Sequence, residues 1–490
     1  MRQYAMYALV IAAALYAWRD WYVSLCVLIV LTAFAKHPDM PPALLHIQGA
    51  NVLNLLLLAV AAAWAMQRES LPKGRPIPKL LVYSAAAYVL LILVAGVRGF
   101  LDFDSLRPSS AEVASMTRQS FFYDFLCNPL KHLLLAFMLF DGMRNRRNVI
   151  LGIAAIVAQV TVFSLMAVRY IPLGSLLEPG TNSQFESAFR GRFENRMGFH
   201  PNDVALAMVA GFWTLAAATP MLWRMGWRYR LAVLFCGPVI AFAIALTNSR
   251  AAYMAMVVIG LIFGLVRWRW LLIGIPLVAL IVFFTVPGVQ ARVGLGFSVQ
   301  DPTGMEGSDL DEITAGRWVA LWPPTIQEIA GSPVFGQGRM TILRTSLYER
   351  ICMLNNGECP SHPHNAYLEM LLDSGIVGLV PVLSLLLAVP VYIYRRRRRD
   401  IPLLDTAASV GLAGAGAILL MGLTGQTFWP REAVDLVLCV YALAMGAHVL
   451  GLQVPAAQAW RAGKPVVSYA KVGPSAERPV KGASAVGQGT

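Results

Sequence analysis

Apolar runs close in length to the hydrocarbon core of a bilayer recur along almost the whole chain, and no other feature limits its fold so strongly. They fall at roughly 4–17, 21–35, 43–66, 80–98, 125–140, 149–168, 204–223, 231–247, 251–266, 271–286, 374–394, 405–424 and 433–452. A backbone in lipid must satisfy its own hydrogen bonds, which leaves helices or closed barrels. A spanning helix needs about 20 apolar residues, whereas a barrel would show short alternating strands, and no such alternation is present. The chain is 57% hydrophobic and 14% charged, against roughly 25% charged in an average soluble domain. The expected fold class is therefore all-α, a polytopic transmembrane helical bundle of about 12–13 spans.

The formal charge of +13 would suggest nucleic acid in a soluble chain. Here no folded soluble domain carries it. Much of the excess sits in short runs between apolar segments, at 144–147 (RNRR), 224–230 (RMGWRYR), 267–269 (RWR) and 395–399 (RRRRR). Such runs anchor spans on the cytoplasmic side. Placing all four inside alternates correctly from residue 141 onward, and 67–79 then also falls inside. The N-terminus is inside for twelve spans and outside for thirteen, and its first apolar run is expected as a retained helix rather than a cleaved signal. The longer polar stretches, roughly 99–124, 169–203 and 287–373, then share the outer face. The last is the largest, expected to contain short helices and inserted into a membrane domain over 1–452; an insertion of that size is usually functional. Residues 453–490 are expected as a disordered cytoplasmic tail.

Arginine on the outer face runs against the positive-inside bias, so each needs a reason. Arg190, Arg192 and Arg196 lie in RGRFENRMGFHPNDVAL, Arg250 in the short turn TNSRAAY, and Arg317 opens GRWVALWPPTIQEIAGSPVFGQG. One reading is a cluster gripping a phosphate or diphosphate, which guanidinium matches bidentately. The other is ion pairing within the loops, to Glu186, Glu194, Asp203 or Glu312. The chain has seven histidines, two of them in HPHNAYLEMLLDSGIVG. Asn365 suits the N-cap of the following helix, on which Leu368, Leu371, Leu372 and Ile376 have the spacing of a buried stripe. His364 would sit at the helix N-terminus, where the dipole favours a neutral ring, as a general base for a hydroxyl requires; a simple capping histidine fits the spacing as well. His362 and His364 lack the partner set of a zinc site. The pairs Asp102/Asp104 and Asp309/Asp311 could hold a divalent cation, but no further carboxylates converge on them, so neither metal nor cofactor is expected. Of six cysteines, Cys26, Cys127, Cys236 and Cys439 fall in or beside apolar runs as core thiols. Cys352 and Cys359 share a polar loop, and a local disulfide is expected if that loop is extracytoplasmic.

Taken in order, four stretches resemble the O-antigen ligase and polymerase superfamily: RMGFHPNDVALAM, LTNSRAAYMAMVV, GRWVALWPPTIQEIAGSPVFGQG and HPHNAYLEMLLDSGIVG. The resemblance covers about 190–390; the N-terminal helices are similar in hydropathy only. It implies a polytopic inner-membrane enzyme that moves a glycan from undecaprenyl diphosphate at the periplasmic face, without metal or other cofactor and with inversion. It further implies His364 as the catalytic residue that activates the acceptor hydroxyl. Arg250 and Arg192 or Arg196 would bind diphosphate, with Arg317 as a further candidate and Asn365 and His362 in support. The leading expectation is a ligase that joins a lipid-linked polysaccharide to an acceptor such as lipid A–core. A polymerase joining lipid-linked repeat units is the close alternative. Transfer to protein hydroxyls and glycan or lipid transport are more distant, because the spans are nearly free of the midplane charges a transporter uses.

Overall fold

The computed structural model describes residues 2–461 apart from 39, 41–48, 68–76, 109–110, 172–190, 192, 248, 288, 291–319, 355–359 and 433. Each apolar run coincides with a helix: α1 (Arg2–Ala17), α2 (Trp21–Leu31), α3 (Val52–Gln67), α4 (Lys79–Leu101), α5 (Asn128–Gly142), α6 (Arg146–Tyr170), α7 (Pro201–Trp223), α8 (Trp227–Leu246), α9 (Arg250–Val266) and α10 (Leu271–Thr285). The large insertion contributes α11 (Trp322–Gly331) and α12 (Leu347–Leu354), and the last three long helices are α13 (Ala366–Arg395), α14 (Pro402–Met421) and α15 (Val434–Arg461). Among the described residues, seven helices are long and apolar enough to cross a membrane, and five apolar ones are shorter. No strand occurs among the described residues, so the chain is a polytopic helical bundle.

The core lies where α7, α14, α15, α5 and α6 meet. Small residues let these helices approach closely, as is general in membranes. A Cβ on Gly211 would fall 2.4 Å from Val160, and one on Gly414 would fall 3.0 Å from Val440. At the periphery, α8 and α10 leave Leu231, Leu234, Phe235, Ile273, Leu277 and Phe284 exposed, which suits lipid rather than water. Residue 453 does not end the last helix, since α15 continues to Arg461; the remainder of the expected tail lies outside the described residues.

Alternating helix direction sorts the loops into two ends. At one end, Arg147 pairs with Asp20 at 3.3 Å, Arg230 donates to the Trp223 carbonyl at 2.9 Å, and Arg267 and Arg397 both bind Asp405, at 2.7 and 2.5 Å. All four basic runs of the sequence sit at this end. At the other, His37 meets Tyr170 at 3.2 Å, Ser249 donates to Asn202 at 2.7 Å, and the Ala366 amide donates to the Gly422 carbonyl at 2.7 Å. The insertion carrying α11 and α12 belongs to this second end and has a small core of its own, built from Leu321, Ile342, Leu343, Leu347, Ile351 and Leu372.

One span is not continuous. Gly375 has φ 65° and ψ −163°, a break inside α13. Helical hydrogen bonds are interrupted there, and a loop takes their place. The Ile376 and Val377 amides donate to the Pro333 and Val334 carbonyls at 2.9 and 3.1 Å, while the Gln337 and Gly338 amides donate to the Leu372 and Asp373 carbonyls at 2.9 and 2.8 Å. Residues 333–338 thus form a splint across the break. Arg98 of α4 secures it from behind, donating to the Phe335 and Gly336 carbonyls at 2.6 and 2.8 Å. The contact needs glycine on both sides: a Cβ on Gly375 would lie 2.2 Å from the Val334 oxygen, and one on Gly336 would lie 2.5 Å from the Ser374 nitrogen.

Gly375→Ala should therefore lose roughly 1–3 kcal/mol from backbone conformation alone, and more from overlap with Val334. Thermal unfolding of the purified protein in detergent checks this, and an unchanged melting temperature would refute the splint.

Candidate functional site

The segment before α13 is held from several sides. Trp322 Nε1 donates to the Pro363 carbonyl at 3.1 Å, and Ser361 Oγ lies 3.2 Å from His362 Nδ1. Asn365 caps the helix, its Oδ1 accepting from the Tyr367 and Leu368 amides at 3.0 and 3.2 Å. His364 has φ 50°, a left-handed conformation that costs a residue with a Cβ about 1–3 kcal/mol and clusters at functional sites. The consequence is a paired arrangement: the His362 and His364 rings stand 4.0 Å apart between centroids, tilted by 53°. Burial holds the His362 imidazole well below its ordinary value of 6.5, and His364, Arg431, Arg339 and His200 add to the effect. His362 is therefore neutral at neutral pH.

Beside the pair lies a charged network in the first turns of α13. Arg339 is buried and binds Glu369 and, at 2.7 Å, Asp373. Its guanidinium lies over the Trp429 ring at 4.5 Å. Burial works against the charge of Arg339, but the two carboxylates outweigh it and raise the guanidinium above its ordinary value. Gln426 donates to Glu369 at 3.0 Å and accepts from Arg431 at 2.9 Å, and Arg431 donates to Asp203 at 2.6 Å. His200 caps α7 by accepting from the Asn202 amide at 3.2 Å. Side chains from the splint loop, α13, the α14–α15 turn and the start of α7 thus converge at the end opposite the basic runs.

The residues singled out in the sequence distribute unevenly. His362, His364 and Asn365 stand together. Arg250 opens α9 at the same end, behind Ser249, which caps that helix and reaches Asn202 at 2.7 Å. Arg196 is exposed on a short helical turn. Arg190, Arg192 and Arg317 lie outside the described residues, as do Asp309 and Asp311. Asp102 is bound by Arg344 at 2.5 Å and Asp104 by Arg118, so ion pairing accounts for this acidic pair. Among the described residues no three His, Cys, Asp or Glu side chains are grouped to hold a metal ion. Cys352 is disulfide-bonded; Cys359 lies outside the described residues.

The stripe expected on α13 requires correction. Leu372 is buried, but Ile376 is 54% exposed, and the inward face is formed by Ala366, Glu369, Met370 and Asp373. Apolar side chains can face lipid, whereas carboxylates must be enclosed and paired. Sequence reasoning missed Arg339, Glu369, Asp373, Gln426, Arg431 and His200. The available signal was two carboxylates four apart near the start of an apolar helix, which require a buried cation.

Arg339→Met would strand both carboxylates and should cost about 3–5 kcal/mol. Adding Glu369→Gln and Asp373→Asn should recover most of it. Detergent melting curves of the single and triple variants check this; a single variant as stable as the parent would refute the pairing.

No curated protein matches the chain. Residues 231–383 match the family model described as O-antigen ligase. This segment holds the histidine pair, Asn365, Arg250, the splint and the Arg339 network, while Asp203, Gln426 and Arg431 lie outside it. Over that segment, within a multi-pass helical bundle, the chain is similar to the O-antigen ligase family.

Proposed function

We propose that this protein is a glycan ligase that transfers a saccharide from an undecaprenyl-diphosphate carrier to an acceptor hydroxyl at the periplasmic face of the inner membrane. The observation that carries the reading is the imidazole pair, 4.0 Å apart, set among cationic side chains inside the segment that matches the O-antigen ligase family. His364 takes the acceptor proton as the hydroxyl oxygen forms its bond to the sugar C1. The C1–O bond to diphosphate breaks, and the electron pair leaves with the diphosphate. Guanidinium groups suit the charge that develops there; Arg250 is the described candidate, and Arg192, Arg196 and Arg317 are the others from the sequence. The donor arrives already activated, so no nucleotide is required. The four basic runs at the opposite end support this sidedness, with the C-terminus on the cytoplasmic side.

The test is reconstitution with undecaprenyl-diphosphate glycan and competing acceptors. Product on lipid A–core is expected; product only on a second lipid-linked repeat unit would make the protein a polymerase. His364→Ala should abolish transfer, a loss of at least 100-fold on the usual scale for a general base (~10²–10⁴), and retained activity would remove its assigned role. Transfer should persist in excess chelator.

The pH dependence has a definite sign. A group whose value is depressed stays neutral until the pH falls through that depressed value. The protonation midpoint of His362, read by NMR of the labelled ring, should therefore lie below pH 6.5, the ordinary value for histidine. A midpoint at or above that value would argue against a buried, neutral His362.

A further inference from the structure

We infer that Arg431 is a positioning residue of this site: its bonds to Asp203 and to Gln426, which in turn holds Glu369, tie α7 to α13. The inference rests on the proposed reaction only for its effect on transfer; the tie between the helices stands on its own geometry.

The geometry is a continuous polar chain between elements distant in sequence. Asp373 and Glu369 of α13 bind Arg339, and Gln426 bridges Glu369 to Arg431 through bonds of 3.0 and 2.9 Å. Arg431 then reaches Asp203 at 2.6 Å. Asp203 adjoins Asn202, which meets Ser249 at 2.7 Å, immediately before Arg250. Arg431 therefore connects the helix that begins at the histidines to the turn that presents Arg250. It comes from the α14–α15 turn, beyond the segment matched by the family.

The electrostatics follow from what faces His362. His364 belongs to its own segment, Arg339 to the end of the splint loop, Arg431 to the α14–α15 turn and His200 to the start of α7, and each disfavours a proton on His362. Each of the three from other elements has an acidic neighbour: Glu369 and Asp373 bind Arg339, Asp203 binds Arg431, and Glu194 stands 3.8 Å from His200. Removing Arg431 removes a cation whose charge acts on the ring. Removing the charge of Asp203 leaves that cation uncompensated. The two changes must therefore move His362 in opposite directions.

The experiment uses the full chain in detergent and reads His362 directly. Diethylpyrocarbonate modifies neutral imidazole, so the pH at half-maximal modification, followed by peptide mass spectrometry, tracks the protonation of His362 without any glycan. Arg431→Gln should raise that midpoint. Asp203→Asn should lower it, and Arg431→Lys should stay close to the parent. Transfer should fall at least tenfold in Arg431→Gln and recover in part in Arg431→Lys. Unmoved midpoints, or shifts of the same sign in Arg431→Gln and Asp203→Asn, would overturn the inference even if glycan transfer is observed. Opposite shifts without transfer would uphold the electrostatic part and count against the proposed reaction.

Discussion

A guanidinium enclosed between two carboxylates one helical turn apart organises the histidine end of this bundle. Arg339 cannot be buried without Glu369 and Asp373, and those carboxylates cannot occupy the start of an apolar helix without a cation. The ion triad therefore requires the splint loop, which leads directly into Arg339, to dock against α13. The same docking sets Gly375 in a conformation closed to other residues and brings Trp429 over the guanidinium. Asn365 and the histidines lie one to two turns away, so their geometry depends on the triad.

Much of the fold was legible in the sequence, because lipid makes hydropathy a strong constraint. The apolar runs coincide with helices, and the insertion contains short helices. Segregation of the basic runs to one end also follows from their spacing between spans. Asn365 could be read as a cap because capping is local, involving amides two and three residues away.

The site was legible only in part, and the reason is range in sequence. His362 and His364 are neighbours, so their pairing is visible in the text HPHN. Arg339 and its carboxylates are separated by 30 and 34 positions, and Arg431 and Asp203 by 228. No local pattern encodes such pairs. Periodicity was also misleading on α13, since a helix in lipid can turn apolar residues outward, so a stripe of leucines does not identify the inward face. Ile376 and Glu369 exchange the environments that a soluble helix would give them.

The break at Gly375 also bears on how the protein is made. Residues 376–395 are apolar and long enough to cross a membrane by themselves, whereas 366–374 contain two carboxylates whose cation lies in the preceding loop. Integration into the bilayer can thus be completed by the apolar part while the polar turns remain undocked. Final assembly of the histidine end becomes a separate, later event that waits on the splint. A substitution in that loop could leave a chain that inserts with correct topology and resists extraction, yet never completes its histidine end.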